Sequence, residues 1–274
     1  MLSRDEVREL AARHQLLDHA EFLMDLPRAG WRLDPDPRTP ASAPRASKIG
    51  GGADMAEGEL WPLNGAGVPY ALLAQIDCAH LPALDDEWPA SAIWQHRDML
   101  LRVFADCAHV DGTDVIVLEA APETKVHRRE RPPLPAPWPF ELPPQNFGLG
   151  ENAEVREAAI RARPFVSVVV PGHEASGITA LPEYHRWAAA LTNGGQPGEQ
   201  SISTLVSEPI AVQHNPLGAT DDEGNHPSGW RVLLHLATDE RLGFDYGGGA
   251  CTVIVPTADM AAGRYDRAAC VWQF

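Results

Sequence analysis

The chain has 274 residues, 44% of them hydrophobic and 22% charged, which is the balance of an ordinary globular protein. Its formal net charge of −16 disfavours nucleic acid and anionic membranes as partners, because both surfaces are themselves negatively charged. No apolar run is long enough for a membrane-spanning helix. We therefore expect no nucleic-acid and no membrane partner, whereas a basic protein partner and simple solubility both fit the charge.

The N-terminus and the cysteines indicate a cytoplasmic protein. Residues 1–6 carry acids early and lack the apolar core of a secretory signal. The four cysteines, Cys78, Cys107, Cys251 and Cys270, are far apart and form no C-x-x-C pair. We expect buried free thiols in a reducing compartment, with a disulfide as the less favoured alternative.

The first predicted element is an amphipathic helix over residues 3–25. Ser3 and Glu6 have the spacing of a capping box, and Pro27 ends the helical pattern. Residues 28–46 hold four prolines and few large apolar side chains. This composition predicts an irregular connection.

Three strands are predicted next, over residues 70–77, 98–106 and 113–119. The first is apolar on both faces until its end, which is typical of a central strand. A tight turn at Asp111-Gly112 favours an antiparallel hairpin of the other two. Seven prolines in residues 128–144 then predict an extended connector, with a docking peptide for a proline-reading domain as the alternative.

The second half is predicted to mix helices and strands. Residues 151–163 are acidic at their start and basic at their end, as the helix dipole prefers, and later apolar runs indicate buried strands. The predicted elements are a helix over 151–163, a strand over 165–170, a helix over 182–191, strands over 230–238 and 250–255, a helical turn over 257–262 and a final strand over 265–273.

Together these elements predict an α+β fold with mainly antiparallel sheets and flanking helices. Residues 73–77 (LAQID) and 233–237 (LLHLA) form a weak internal echo, since each lies in an apolar strand followed by a turn and another strand. We therefore expect two related αβ halves, 1–127 and 145–274, in one compact unit joined by the connector 128–144.

Two parts of the chain carry a family resemblance. The first is Ser47-Lys48-Ile49-Gly50-Gly51 with Trp61-Pro62 and the strand that ends in Gln75-Ile76-Asp77; the second runs from 230–234 to the final strand, with an H-x-x-L-G element at 214–218. These residues resemble the YwqG-like family of bacterial domains of unknown function. The resemblance implies one domain over 1–274 and a small cytoplasmic protein, of a kind that includes immunity or accessory factors beside toxin systems. His235-Leu236-Ala237 replace the family's Gln-Ile-Asp, and Tyr246-Gly247-Gly248 replace its W-G-D turn, so we expect no active site built on the acids of these two elements here.

The best candidate polar cluster is Lys48, Gln75, Asp77 and His214. Gln75 and Asp77 share one face of their strand about 7 Å apart, and a buried amide and carboxylate need partners. Lys48 precedes its glycines, whereas a phosphate-binding loop places the lysine after them. We favour a structural role for this cluster and assign no catalytic residue.

Two functional hypotheses follow. No nucleophile elbow, P-loop, H-E-x-x-H or dinucleotide motif is present, so we favour a non-catalytic binding protein with a basic protein partner. The alternative is a ligand-binding enzyme or hydrolase with a cleft between the halves, lined by Lys48, Gln75, Asp77 and His214. We expect no cofactor and no metal, because the eleven histidines lack ligand spacing.

Overall fold

A computed structural model describes residues 1–39, 41–84, 86–90, 98–106, 114–136, 156–170, 176–194, 202–213, 215–217, 229–242 and 249–273. Four α-helices and twelve strands lie in these residues. The helices are α1 (Arg4–Arg13), α2 (Ala20–Met24), α3 (Pro182–Thr192) and α4 (Thr257–Ala261). The strands are β1 (Arg28–Asp36), β2 (Lys48–Ile49), β3 (Ala53–Ala56), β4 (Ala71–Asp77), β5 (Leu100–Ala105), β6 (Val115–Ala120), β7 (Val126–Arg129), β8 (Ala158–Ser167), β9 (Ser203–Ser207), β10 (Trp230–Ala237), β11 (Ala250–Pro256) and β12 (Ala269–Gln273).

Ten of these strands form one antiparallel sheet, in the order β12-β11-β10-β9-β1-β8-β2-β4-β5-β6. An isolated antiparallel bridge joins Asp114, just before β6, to Ala269 of β12. The Tyr265 hydroxyl also donates to Glu119 of β6 at 3.1 Å. The two edge strands therefore meet, and the sheet curls into a barrel-like shape around the largest apolar cluster, to which nearly every strand contributes.

The strand order repeats on the two sides of the central pair β1–β8. The first run is β2, β4, β5 and β6, and the second run is β9, β10, β11 and β12. Between them, β1 pairs with β8 through nine register pairs, while β9 pairs with β1 and β8 pairs with β2. β1 thus lies beside the second run and β8 beside the first, so each strand of the central pair adjoins the run that is farther from it in the chain.

The two runs share an irregularity. Pairing of β4 with β5 shifts register between Leu72 and Ala74. Pairing of β10 with β11 shifts between Val232 and Leu234, at the same place in the run. Each bulge turns the strand so that consecutive residues face the interior cluster.

A hydrogen bond also recurs. The Asp77 N–H donates to the Ser47 hydroxyl at 3.0 Å, where the chain enters β2 beside β4. The Ala237 N–H donates to the Ser203 hydroxyl at 3.3 Å, where β9 begins beside β10. The two runs therefore share this backbone-to-serine hydrogen bond, although the side chains at the ends of β4 and β10 differ.

Helices cover one part of the barrel and a small sheet covers another. Side chains of α1, α2 and α3 form a second apolar cluster with those of β8 and the residues that follow it. The two-stranded sheet β3–β7 lies over the first run, where Met55, Leu72 and Phe104 belong to one cluster. None of the helices in the described part of the chain is long and apolar enough to cross a membrane.

The α+β prediction is confirmed, as are the predicted helix at 182–191 and most of the strands. The Ser3–Glu6 capping box forms as expected. The single helix over 3–25 is wrong, because α1 ends at Arg13 and Gln15 has a φ of 62°. The chain then makes a 3₁₀ turn before α2. Cys78, Cys251 and Cys270 are buried thiols, as expected, and Cys107 lies outside the described residues.

Two further predictions are wrong because they did not include the pairing of β1 with β8. Residues 158–167 form β8 and not a helix, and residues 28–36 form β1 and not an irregular connection. Alanine and arginine favour helix locally, but pairing of β8 with β1 overrides that preference. Pro35 is tolerated because β9 pairs with β1 only at residues 31–33, so Pro35 has a neighbour on one side only.

The connector and the domain limits stay predictions. Residues 128–129 belong to β7, and residues 137–144 of the predicted connector lie outside the described residues. The turn at Asp111-Gly112 also lies outside them, although β5 and β6 do pair antiparallel.

Candidate functional site

A row of three buried polar side chains crosses the first run. Lys48 of β2 lies opposite Gln75 of β4, and Gln75 lies opposite Arg102 of β5. Directly opposed residues project from the same face of a sheet, and here that face is covered by β3–β7. Their relative exposures are 1%, 0% and 0%, so each polar group must find its partner inside the protein.

Asp54 of β3 satisfies the middle of this charged row (Lys48, Gln75 and Arg102). Its carboxylate accepts hydrogen bonds from Gln75 Nε2 at 2.8 Å and from the Arg45 N–H at 2.7 Å. Its own N–H donates to Gln75 Oε1 at 2.7 Å, and Gln75 Nε2 also donates to the Ala46 carbonyl at 3.0 Å. The Gln75 amide therefore joins the small sheet to the barrel and has all its hydrogen bonds within the protein.

Lys48 is held between two carboxylates. Its Nζ lies 3.8 Å from Asp54 Oδ1 and 3.8 Å from Glu157 Oε2. Burial lowers the pKa of Lys48, and the two carboxylates partly offset that effect by favouring the ammonium form. Glu157 in turn lies 2.6 Å from Arg128 of β7, and contacts with Glu157 and Glu130 raise the pKa of Arg128. The lysine charge is thus compensated locally.

The glycine turn after Lys48 makes room for Glu157. Gly50 and Gly51 have φ values of 63° and 71°, which glycine adopts without steric cost. A Cβ atom at Gly51 would collide with the Glu157 carboxylate. Gly51 therefore permits the close approach of a carboxylate.

Asp77 belongs to the neighbouring part of the network. Its carboxylate lies 2.9 Å from His80 Nδ1 and 3.6 Å from Arg45 Nε. Arg45 is the link to Asp54, since its backbone N–H donates there. Asp77 and Gln75 thus face the same way, as expected, but they bind different partners.

Arg102 completes the row. Its Nη1 donates to Glu59 at 2.5 Å and to the Asp54 carbonyl at 3.2 Å. Its Nε and Nη2 atoms are buried without an acceptor among the described residues. Glu59 also accepts from the Ala56 N–H at 2.8 Å, so it holds the end of β3 against β5.

The second run carries a neutral row at the matching register. Thr204 of β9 lies opposite His235 of β10, and His235 lies opposite Thr252 of β11. His235 Nδ1 and the Thr252 hydroxyl are 2.8 Å apart, and the Thr204 hydroxyl lies 2.7 Å from that of Ser207. Burial lowers the pKa of His235 to about 4, so the imidazole is neutral near pH 7.

The sequence-predicted cluster is brought together in part. Lys48 and Gln75 share Asp54, Asp77 joins through Arg45, and His214 lies outside the described residues. The missed members are Arg45, Asp54, Glu59, Arg102 and Glu157. Arg102 could have been identified from the sequence, because it is the charged residue of an otherwise apolar strand, LLRVFA. Glu157 could not, since its contact with Lys48 depends on the pairing of β2 with β8.

This arrangement is suited to holding structure together. The acids and bases of the network neutralise one another, and the side chains at its centre are inaccessible to a substrate. Among the described residues, no three His, Cys, Asp or Glu side chains converge as metal ligands.

The network coincides with a region that a known family shares. A family model described as Domain of unknown function (DUF1963) matches residues 47–273, most of the chain. The chain belongs to the DUF1963 family. The DUF1963 match begins at Ser47, so it includes the charged row and both runs but leaves out α1, α2 and β1. A search of the curated proteins finds no match to this chain.

Proposed function

We propose that this DUF1963 protein is a non-catalytic binding domain that recognises a basic protein. The observation that carries the proposal is the burial of the candidate cluster. Lys48, Gln75 and Asp77 are at most 5% exposed and are bonded to groups of the protein itself. A hydrolase using these residues would need them open to a substrate. The alternative cleft also requires separate halves, whereas β1 and β8 join the halves by continuous sheet.

An exposed acidic surface near the N-terminus supports the choice of partner. Residues 14–25 contain no lysine and no arginine. Asp18, Glu21 and Asp25 are exposed there, beside Leu17 at 58% and Phe22 at 51% exposure. We name these five side chains the acidic–apolar surface. Exposed acids attract a basic partner over distance, and exposed apolar side chains supply contact area once it has docked.

The finer assignments are part of the same proposal. The residues 47–77 support a YwqG-like member of the family, bacterial and cytoplasmic. The acidity and the closed polar cluster support a neutralising role, as an immunity or accessory factor beside a toxin system. The acidic–apolar surface lies outside residues 47–273, so its partner would be particular to this chain and not common to the family.

The test is co-expression of the tagged chain with the products of neighbouring genes, followed by pull-down at low salt. We expect a basic protein to be retained and to be released as salt rises, because exposed charge pairs are screened. Retention of no basic protein at low salt would contradict the proposal.

Two variants of equal charge change then locate the contact. Asp18→Lys with Glu21→Lys and Asp25→Lys should weaken binding of the retained protein about 10-fold or more, measured by calorimetry. The matched control, Glu57→Lys with Asp86→Lys and Glu123→Lys, changes exposed acids elsewhere. An equal loss in both variants would leave only non-specific attraction to a polyanion.

A further inference from the structure

We propose that Cys251 and Cys270 form a reversible disulfide, which staples the last two strands of the barrel when a small-molecule disulfide oxidant is present. The two thiols are buried, and their Sγ atoms are 3.0 Å apart. A disulfide bond is about 2.05 Å long, so closure requires the sulfur atoms to approach by only about 1 Å.

The strand register places the two thiols on one face. Cys251 of β11 lies opposite Trp272 of β12, and Cys270 lies opposite Val253. Cys251 and Cys270 are therefore diagonal neighbours, and both belong to the interior cluster. Residues at diagonal positions are still within reach of each other's side chains, and here the two sulfur atoms are in contact.

The third described cysteine provides an internal contrast. Cys78 follows β4, and its sulfur contacts the Ile76 carbonyl at 3.6 Å. Burial strongly raises the pKa of the Cys78 thiol, which keeps it in the unreactive form. One described thiol is therefore placed as an inert core residue, while the other two are placed against each other.

The position of β12 provides a route for the oxidant. β12 is an edge strand of the sheet order, and at its outer edge the isolated bridge at Ala269 joins it to Asp114. Edge strands open more readily than central ones, and opening of β12 uncovers Cys270 and then Cys251. A closed β12 shields the pair, so oxidation follows the rate of this local opening.

The chemistry is a two-step thiol–disulfide exchange. The Cys270 thiolate attacks oxidised glutathione, forms a mixed disulfide and releases one glutathione thiolate. The Cys251 thiolate then attacks Sγ of Cys270, forms the Cys251–Cys270 bond and releases the second glutathione. The two cysteines lose two protons and two electrons, and one molecule of oxidised glutathione becomes two of reduced glutathione.

The test uses the full chain, incubated folded with oxidised glutathione, acid-quenched, alkylated and analysed by peptide mass spectrometry. We expect a Cys251–Cys270 cross-linked peptide that dithiothreitol removes, with Cys78 alkylated only after unfolding. Oxidation should raise the Tm by about 5 °C, because the bond restrains the unfolded chain. It should also slow hydrogen exchange in β12.

The variants make the result decisive. Cys78→Ser should still form the bond and show the Tm rise, whereas Cys270→Ser should show neither. If Cys270→Ser does not fold, the mass-spectrometric result on the unmodified chain decides alone. Absence of the bridged peptide after prolonged oxidation, or random pairing that includes Cys78, would overturn the proposal.

Discussion

The charged row of the first run and the neutral row of the second occupy the same register on matching strands. The charged row is Lys48, Gln75 and Arg102. The equivalent positions of the second run hold Thr204, His235 and Thr252. Both rows are fully buried. One backbone pattern therefore accepts either charged or neutral polar side chains at its centre.

The difference lies in what covers each row. The small sheet β3–β7 brings the Asp54 carboxylate over the first run, so the buried lysine finds counter-charge there. In the second row the threonine hydroxyls require no counter-charge, and burial keeps His235 neutral. Buried ions are tolerated only where the rest of the fold supplies their partners.

The largest expected effect comes from removing the acid that serves the charged row. Asp54→Ala should lower the free energy of unfolding by about 3–5 kcal/mol, because it leaves Lys48 and Gln75 buried without that partner. Urea unfolding, checked for an unchanged m-value, measures the loss.

The matched change in the neutral row is Thr252→Ala. It removes one neutral hydrogen bond to His235 and should cost about 1–3 kcal/mol. Equal losses from Asp54→Ala and Thr252→Ala would mean that the charge of the first row has no special energetic weight.

The second prediction concerns pH and His235. Its folded pKa of about 4 lies below the ordinary value of 6.5, so protonation favours the unfolded chain. The stability linked to His235 is fully present above about pH 6.5 and falls by about 3 kcal/mol as the pH drops toward 4. Urea unfolding at about pH 7 and about pH 4.5 measures this change.

Other carboxylates also titrate in this range, so a variant has to isolate the histidine. His235→Gln places in the second row the residue that the first row has at Gln75. The variant should lose less stability than the unmodified chain between the two pH values. Identical pH profiles would show that His235 is not a buried neutral group.

The last prediction tests the glycine turn. Gly51→Ala should cost about 2–3 kcal/mol, since the residue has a φ of 71° and a Cβ atom would displace Glu157 from Lys48. Gly58 has a φ of 79° with open space around it, so Gly58→Ala should cost only about 1 kcal/mol. Thermal unfolding of the two variants side by side separates backbone strain from the loss of the Glu157 contact.

Sequence patterns predicted those features that are determined by residues close to one another in the chain. The capping box at Ser3, the helix α3 and the alternation that puts Gln75 and Asp77 on one face all follow from residues near one another in the chain. β8 could not be predicted in this way, because its alanines and arginines favour helix and only pairing with β1 makes it a strand.

The hydrogen-bond and ion-pair partners of the candidate cluster could not be predicted from the sequence for a related reason. Asp54 lies on a short strand whose pairing with β7 is set by residues more than 70 positions away. The contact of Glu157 with Lys48 spans more than 100 positions. Periodicity tells which face a side chain occupies, but it does not tell which strand lies opposite.

The sequence by itself determined the α+β class, the central strand β4, the buried thiols and the family signature around Lys48. These properties follow from composition and from patterns within one element. The tertiary structure decided that the sheet curls until Asp114 meets Ala269, that Lys48 is compensated by Asp54 and Glu157, and that Cys251 lies against Cys270. Such contacts join segments far apart in the chain, and their free energy exists only once the strands have paired.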